Sequence, residues 1–307
     1  MKPLAVIGNV NVDLIMGPAS PWPQPGTEIL VDHSEVRVGG SAGNTALAWR
    51  ACGHDFKIAA NLGTDHFGRW LAEEFGPLAS NWPRCDEETT LSVGITHPDG
   101  ERTFFTTKGH LPHFSTNDVL CVLDGEQLSG GYALICGSFL MDALTRDYDA
   151  LFDWAEAHDI SIALDTGWPL NGWTQANCQA TISWLKRSRV ALMNEIEATT
   201  LTAEQDALKA AKALQVMMPQ GSIVVVKCGP EGAIGLDANG SLHSAKAPKV
   251  TVIDTIGAGD VFNAGFLAAL AADEPIDRCL AAGVAIASRA ISTHPRTYAM
   301  PLEGDGQ

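Results

Sequence analysis

Short runs of apolar, mostly β-branched residues alternate along the chain with longer amphipathic stretches. The runs are Leu4 to Ile7, Phe56 to Ala60, Ala133 to Cys136, Ile160 to Leu164, Val190 to Met193 and Ile223 to Val226. They are apolar throughout, as strands covered by helices on both faces should be. Between them, helical periodicity predicts helices at Ala42 to Ala51, Phe67 to Leu78, Ala143 to Ala157, Thr174 to Lys186 and Ala203 to Val216. Strand and helix in regular succession predict an α/β fold, a doubly wound, mostly parallel sheet flanked by helices.

Two regions break the alternation. Residues 12–38 hold a Pro-rich loop, Pro18 to Pro25, and then Thr27 to Val38, where Ile29, Val31, Val36 and Val38 suggest strands with one polar face. Residues 90–107 read as a hairpin: Leu91 to Thr96, a Pro98-Asp99-Gly100 turn, then Arg102 to Thr106. Together they predict a small β-sheet lid attached to one domain spanning residues 1–307. Farther on, Gly232 to Leu236 and Ser241 to Ser244 form an expected edge hairpin and Val250 to Ile253 an expected strand. Two small-residue helices follow, at Ala258 to Ala271 and Ile276 to Ser292, and Gly304 to Gln307 are expected to fray.

The 307 residues are 46% hydrophobic and 18% charged, the profile of a compact chain with a real core. A formal charge of −16 repels nucleic-acid backbones and anionic membrane surfaces, which makes either a poor partner. It does not exclude a small anion held by backbone N–H groups. Seven cysteines, with no C-x-x-C pair, argue against a disulfide framework or zinc ribbon and for a reducing compartment. The first apolar run is too short for a leader core, and no run approaches the length of a membrane span. A cytoplasmic location is the expectation.

The segment Asp254-Thr255-Ile256-Gly257-Ala258-Gly259-Asp260 carries the clearest chemistry. Two glycines allow a tight turn with outward N–H groups, and the following helix adds its positive N-terminal end, so the segment suits an anion such as a phosphoryl group in transfer. Asp260, in the first helical turn, can accept a proton from an attacking hydroxyl. A dinucleotide fingerprint would need Gly or Ala where Phe262 stands, and a P-loop would need a Gly-Lys pair, which the chain lacks.

Asp254 to Asp260 resembles the D-T-x-G-A-G-D signature of the ribokinase-like (PfkB) carbohydrate kinases. Val38-Gly39-Gly40-Ser41-Ala42-Gly43-Asn44-Thr45-Ala46 is similar to that family's N-terminal glycine motif, and Gly8-Asn9-Val10-Asn11-Val12-Asp13 resembles its opening strand and substrate-binding acid. The resemblance implies a ribokinase-like fold with a β lid, ATP as donor, Mg²⁺, and transfer of the γ-phosphoryl group to a hydroxyl. It implies Asp260 as catalytic base and the amides of Gly257, Ala258 and Gly259 as anion hole.

On the acceptor side, Asp13 follows the first strand, at the edge of the sheet where ligands gather, and a carboxylate there can fix neighbouring sugar hydroxyls. By resemblance Asn11, Asp13, Gly39, Gly40 and Asn44 line this pocket. In the lid, Arg102 or Lys108 is a candidate partner for a substrate carboxylate. On the nucleotide side, Asn194-Glu195-Ile196-Glu197 resembles the family's N-x-x-E motif, whose acid, here Glu197, can hold Mg²⁺ through water. Lys227-Cys228-Gly229 is like its K-x-G segment near the phosphates, so that Asn194, Lys227, Gly229, Thr255, Gly257 and Gly259 are the implied nucleotide contacts. The family's Thr-Arg-x-Gly-Ala stretch is replaced by Ile291 to Tyr298, without the Gly-Ala pair. Potassium activation is therefore not expected, although the Asp254 and Ile256 carbonyls supply part of such a site. A sugar is the expected acceptor. Two alternatives stay open, a nucleoside kinase and a non-catalytic binding protein on the same scaffold, and a homodimer through the lid is compatible with the resemblance.

Overall fold

The computed structural model describes residues 1–99 and 101–298. Gly100 of the expected hairpin turn and the end at 304–307 lie outside them.

The strands are β1 (Leu4–Gly8), β2 (Asn11–Gly17), β3 (His33–Gly39), β4 (Lys57–Ala59), β5 (Leu91–Thr96), β6 (Arg102–Thr106), β7 (Tyr132–Cys136), β8 (Ser161–Asp165), β9 (Val190–Asn194), β10 (Ile223–Lys227), β11 (Ala233–Leu236) and β12 (Leu242–Ala245). The α-helices are α1 (Ser41–Ala51), α2 (His66–Phe75), α3 (Thr116–Val122), α4 (Gly125–Leu128), α5 (Asp142–Arg146), α6 (Tyr148–Ala157), α7 (Gln175–Leu185), α8 (Glu195–Thr202), α9 (Ala207–Met217), α10 (Ala258–Ala271) and α11 (Ile276–Ile291).

The large sheet runs β12-β11-β10-β9-β8-β7-β1-β4, parallel from β10 to β4, with β11 and β12 antiparallel at one end. Its central strands are apolar on both sides because each side meets helices. In β1, Leu4 and Val6 enter one core with Trp49 of α1 and Phe266 of α10, while Ala5 and Ile7 enter a second with Leu151 and Phe152 of α6. The second sheet runs β3-β2-β5-β6, antiparallel except for the parallel pair β2 and β5. Together the two sheets make the α/β architecture with a small second sheet that the sequence predicts.

Several expectations need correction. Val250 to Ile253 is not a strand: Val252 and Ile253 are more than half exposed, and the Ile253 N–H reaches the Ile291 carbonyl (2.7 Å) rather than a sheet partner. The stretch Thr27 to Val31 is loop, so strand structure begins only at His33. The helix expected at Ala143 to Ala157 breaks into α5 and α6 at Asp147. The helix expected from Ala203 starts at Ala207, because Ala203 is the left-handed cap that ends α8.

Candidate active site

The parallel strands end along one edge of the large sheet, and the N-termini of α1 and α10 point at that edge. The Trp49 indole N–H donates to the Ala264 carbonyl (2.8 Å) and the Thr45 hydroxyl to the Asp260 carbonyl (3.2 Å), which locks α1 against α10. A cleft of about 990 Å³ opens there, bounded by Asp165, Glu197, Lys227 and the Gly257 to Asp260 turn, with Arg102 of the small sheet above.

Gly257 caps α10 in the left-handed region (φ 73°), and a Cβ on it would meet the Asn44 amide at 2.5 Å, so both conformation and space require glycine. The Ala258 N–H folds back on the Thr255 carbonyl (3.1 Å). Among the described residues, the Gly257 and Gly259 N–H groups, like that of Asp260, have no acceptor and are free donors of the turn. The Asn44 side-chain amide donates to Asp260 Oδ2 (2.9 Å). Asn44, expected among the acceptor-lining residues, is thus the residue that holds Asp260. Burial, then repulsion from Asp165, pushes the Asp260 carboxyl up to about 6 against the pull of Asn44 and Lys227.

Lys227 closes the other side of the turn, with Nζ 3.4 Å from where a Cβ of Gly259 would lie. It donates to Asp165 Oδ2 (2.7 Å) and Asn263 Oδ1 (3.2 Å), and the Asn263 amide donates back to Asp165 Oδ2 (2.6 Å). Burial opposes the charge of Lys227, but Asp165 and Glu197 outweigh it and raise its pKa. Glu197 and Asn194 cap α8 reciprocally: Asn194 Oδ1 accepts from the Glu197 N–H (2.9 Å) and Glu197 Oε2 from the Asn194 N–H (2.8 Å). Burial, with repulsion from Asp165, pushes Glu197 up to about 7. Gly229 opens a short turn beside Lys227 on the cleft wall.

Asp13 is buried on β2. A relay of amides leads to it: Asn9 donates to Asn11 (3.3 Å), and Asn11 to Asp13 Oδ1 (2.9 Å). Burial pushes Asp13 up to about 6, opposed by Arg37 and Asn11. Gly39 and Gly40 let β3 pass over these groups. A Cβ on Gly39 would lie 2.1 Å from Asp13 Oδ1, and one on Gly40, which has φ 84°, would lie 2.3 Å from the Asn9 carbonyl oxygen.

Between Asp13 and the glycine turn lies Asp254. Its Oδ1 accepts the Ile256 N–H (2.8 Å), and its Oδ2 accepts from Arg37 (2.6 Å) and Arg296 (2.8 Å). Arg296 also donates to the Asp254 carbonyl oxygen (3.3 Å). That carbonyl, read as part of a monovalent-cation site together with Ile256, therefore faces a guanidinium. The two arginines hold the Asp254 carboxyl below its usual range despite its burial. Arg102 donates to the Thr255 hydroxyl, and Lys108 is exposed beyond β6.

A family model for the pfkB family of carbohydrate kinases matches residues 1–302. The chain belongs to that family. As a pfkB carbohydrate kinase it is similar to 5-dehydro-2-deoxygluconokinase of Listeria monocytogenes, 26% identical over 274 residues covering 86% of this chain and 83% of that one. It is 29% identical over 271 residues to 1-phosphofructokinase of Haloferax volcanii, covering 87% and 84%. Among solved structures, adenosine kinase of Sinorhizobium meliloti superposes with a TM-score of 0.78 at 19% identity, covering 97% and 96%. Ribokinase of Thermotoga maritima superposes with 0.75 at 20%, covering 95% and 94%. The pfkB assignment makes the protein an ATP-dependent carbohydrate kinase. Among the described residues no helix is long and apolar enough to cross a membrane.

Sequence reasoning missed Asp165, Asn263, Asn9, Arg37 and Arg296. Asp165 carried a usable signal, since it ends an apolar strand as Asn194 and Lys227 do. The two arginines carried none, because only tertiary pairing brings them to Asp254.

Proposed function

We propose that this kinase moves the γ-phosphoryl group of ATP to a primary hydroxyl of a small sugar, with Asp260 as general base. The observation that carries this reading is the Asp260 carboxyl, held by Asn44 and raised to about 6, beside the free N–H groups of Gly257 and Gly259. A base with that pKa is ionised at neutral pH and still accepts a proton readily as the acceptor oxygen attacks. Asp13, oriented by Asn11, fixes the acceptor hydroxyls. As the phosphoryl group passes, the Gly257 and Gly259 donors and Lys227 take up its charge. Asn194, Gly229 and Thr255 border the polyphosphate.

Asp165, Glu197 and Asp260 repel one another around Lys227, and such a cluster of carboxylates fits Mg²⁺. Among the described residues no group of three or more ligating side chains is close enough to hold an ion. Glu197 would therefore hold Mg²⁺ through water, beside the phosphates. When bound, the ion neutralises phosphate charge. Potassium has no role in this reading, because Arg296 occupies the Asp254 carbonyl.

The small sheet acts as a lid that excludes water, with Arg102 tying it to Thr255. On its outer face Val36, Leu14, Val93 and Phe105 form one cross-strand apolar row, and Val36 and Phe105 are 50% and 56% exposed. A second copy of the chain pairs there. The names of the two relatives point to sugar-derived acceptors, which favours a sugar over a nucleoside, while the adenosine kinase likeness is one of fold. Acceptor-dependent ADP release over a panel of sugars, sugar acids, sugar phosphates and nucleosides, with and without potassium, tests the proposal. Release with a sugar-derived acceptor and no potassium requirement is expected; release with nucleosides alone, or none at all, contradicts it.

A further inference from the structure

We infer that the acceptor carries an anionic group, a carboxylate or a phosphate, and that Arg37, supported by Arg296, receives it, an inference that rests on the kinase reading above. Arg37 on β3 is the direct cross-strand partner of Asp13 on β2, so the two side chains share the face of the small sheet on which Asp13 awaits the acceptor. Arg37 Nη1 donates to Asp254 Oδ2. Its Nε and Nη2 are buried and have no partner among the described residues. Buried donors are almost always satisfied, and an unmet pair on a charged group is among the costlier exceptions.

Nε and Nη2 form one edge of the guanidinium, two parallel N–H groups whose spacing matches the two oxygens of a carboxylate or of a phosphate. Asp254 holds the opposite side of the same group and takes Arg296 as well, so the fork is fixed in place before a ligand arrives. Net charge does not draw the anion in. Arg37 and Arg296 face Asp254, Asp13 and, 3.6 Å from Arg37, Glu35, so the corner has no positive excess and selectivity comes from the directed donors. The cations that sequence alone proposed are elsewhere: Arg102 is on Thr255 and Lys108 points to solvent. Since β3 is an edge strand of the lid, the anion enters with the acceptor when the lid lifts.

Isothermal titration of the full-length protein with matched pairs decides the matter: gluconate and 5-dehydro-2-deoxygluconate against glucose, and fructose 1-phosphate against fructose. One anionic class is expected to bind at least about 10-fold more tightly than its neutral parent, and which class does so tells carboxylate from phosphate. Arg37→Met should weaken that ligand on the order of 10- to 100-fold and leave ATP binding unchanged, while Arg37→Lys, lacking the fork, recovers only part. Arg296→Met, read by the same titration, serves if the first variant does not fold. Anionic ligands that bind no better than their neutral parents, or variants that weaken both alike, overturn the inference. Should neutral sugars then drive ADP release, the kinase reading stands without it; an anion that binds through Arg37 yet drives no ADP release supports the site and counts against that reading.

Discussion

Replacing Asn44 by alanine isolates the tuning of Asp260. The Asn44 amide donates to Asp260 Oδ2 at 2.9 Å from a position 5% exposed, so water does not simply replace it. Burial and Asp165 push the Asp260 carboxyl up to about 6, and the Asn44 hydrogen bond is the strongest pull in the other direction. A hydrogen bond to a charged group contributes about 1.5–3 kcal/mol, and one pKa unit corresponds to about 1.4 kcal/mol, so losing this one raises the carboxyl by roughly 1–2 units. Asp260 opens onto the cleft, where water screens part of the effect, so about one unit is the working figure. The sign follows from the bond stabilising the ionised form: without it the base needs a higher pH to ionise. The acid limb of kcat/KM for the acceptor, measured at saturating ATP from about pH 5 to 9, should move from near 6 toward about 7. At the alkaline end both proteins hold an ionised base, and the rates should converge to within a few-fold. A limb that stays in place or moves to lower pH would refute the reasoning.

Other perturbations test separate parts of the account. Gly39→Ala sets a methyl group 2.1 Å from Asp13 Oδ1, so Asp13 must leave its place; the acceptor KM should rise by about 10-fold or more with ATP binding intact, and an unaltered KM would contradict the role of Asp13. Asp13 and Asp260 at about 6 and Glu197 at about 7 bind protons more readily when folded than when unfolded. Their contribution to stability is therefore lost as pH rises from about 4 through 7. The ligand-free melting temperature should fall across that range, and at about pH 8 Asp260→Asn should melt a few degrees above the parent; a lower melting temperature would count against the repulsion from Asp165. Phe105→Glu places a charge in the exposed apolar row of the lid, and sedimentation should show dimers becoming monomers; an unchanged sedimentation coefficient argues against pairing there.

The six central strands were legible within a residue or two because helices cover both faces and leave no polar position to break the run. The same logic misled at Val250 to Ile253, where the apolar residues belong to an irregular segment, Val250 and Val252 lining the cleft rather than entering a sheet. Helix α8 escaped notice because its eight residues, Glu195 to Thr202, read as a motif and are defined by a reciprocal cap rather than a buried stripe. Asp13, Asn194, Lys227 and the Gly257 turn were legible because each sits in a recognisable pattern beside an apolar strand or helix. What Asn44 touches was not: as a residue of a glycine motif it looked like a ligand contact, and only the packing of α1 on α10 turns it toward Asp260. Arg37 depends on the register of β3 against β2, and Arg296 on a chain crossing more than forty positions after Asp254 in sequence, neither of which periodicity encodes.

Turnover by Asp260→Asn, measured beside its binding of ATP and acceptor, tests the central claim most directly. The account predicts that both ligands still bind while acceptor-dependent ADP release falls by about 10²-fold or more. Near-normal release by that variant would contradict it.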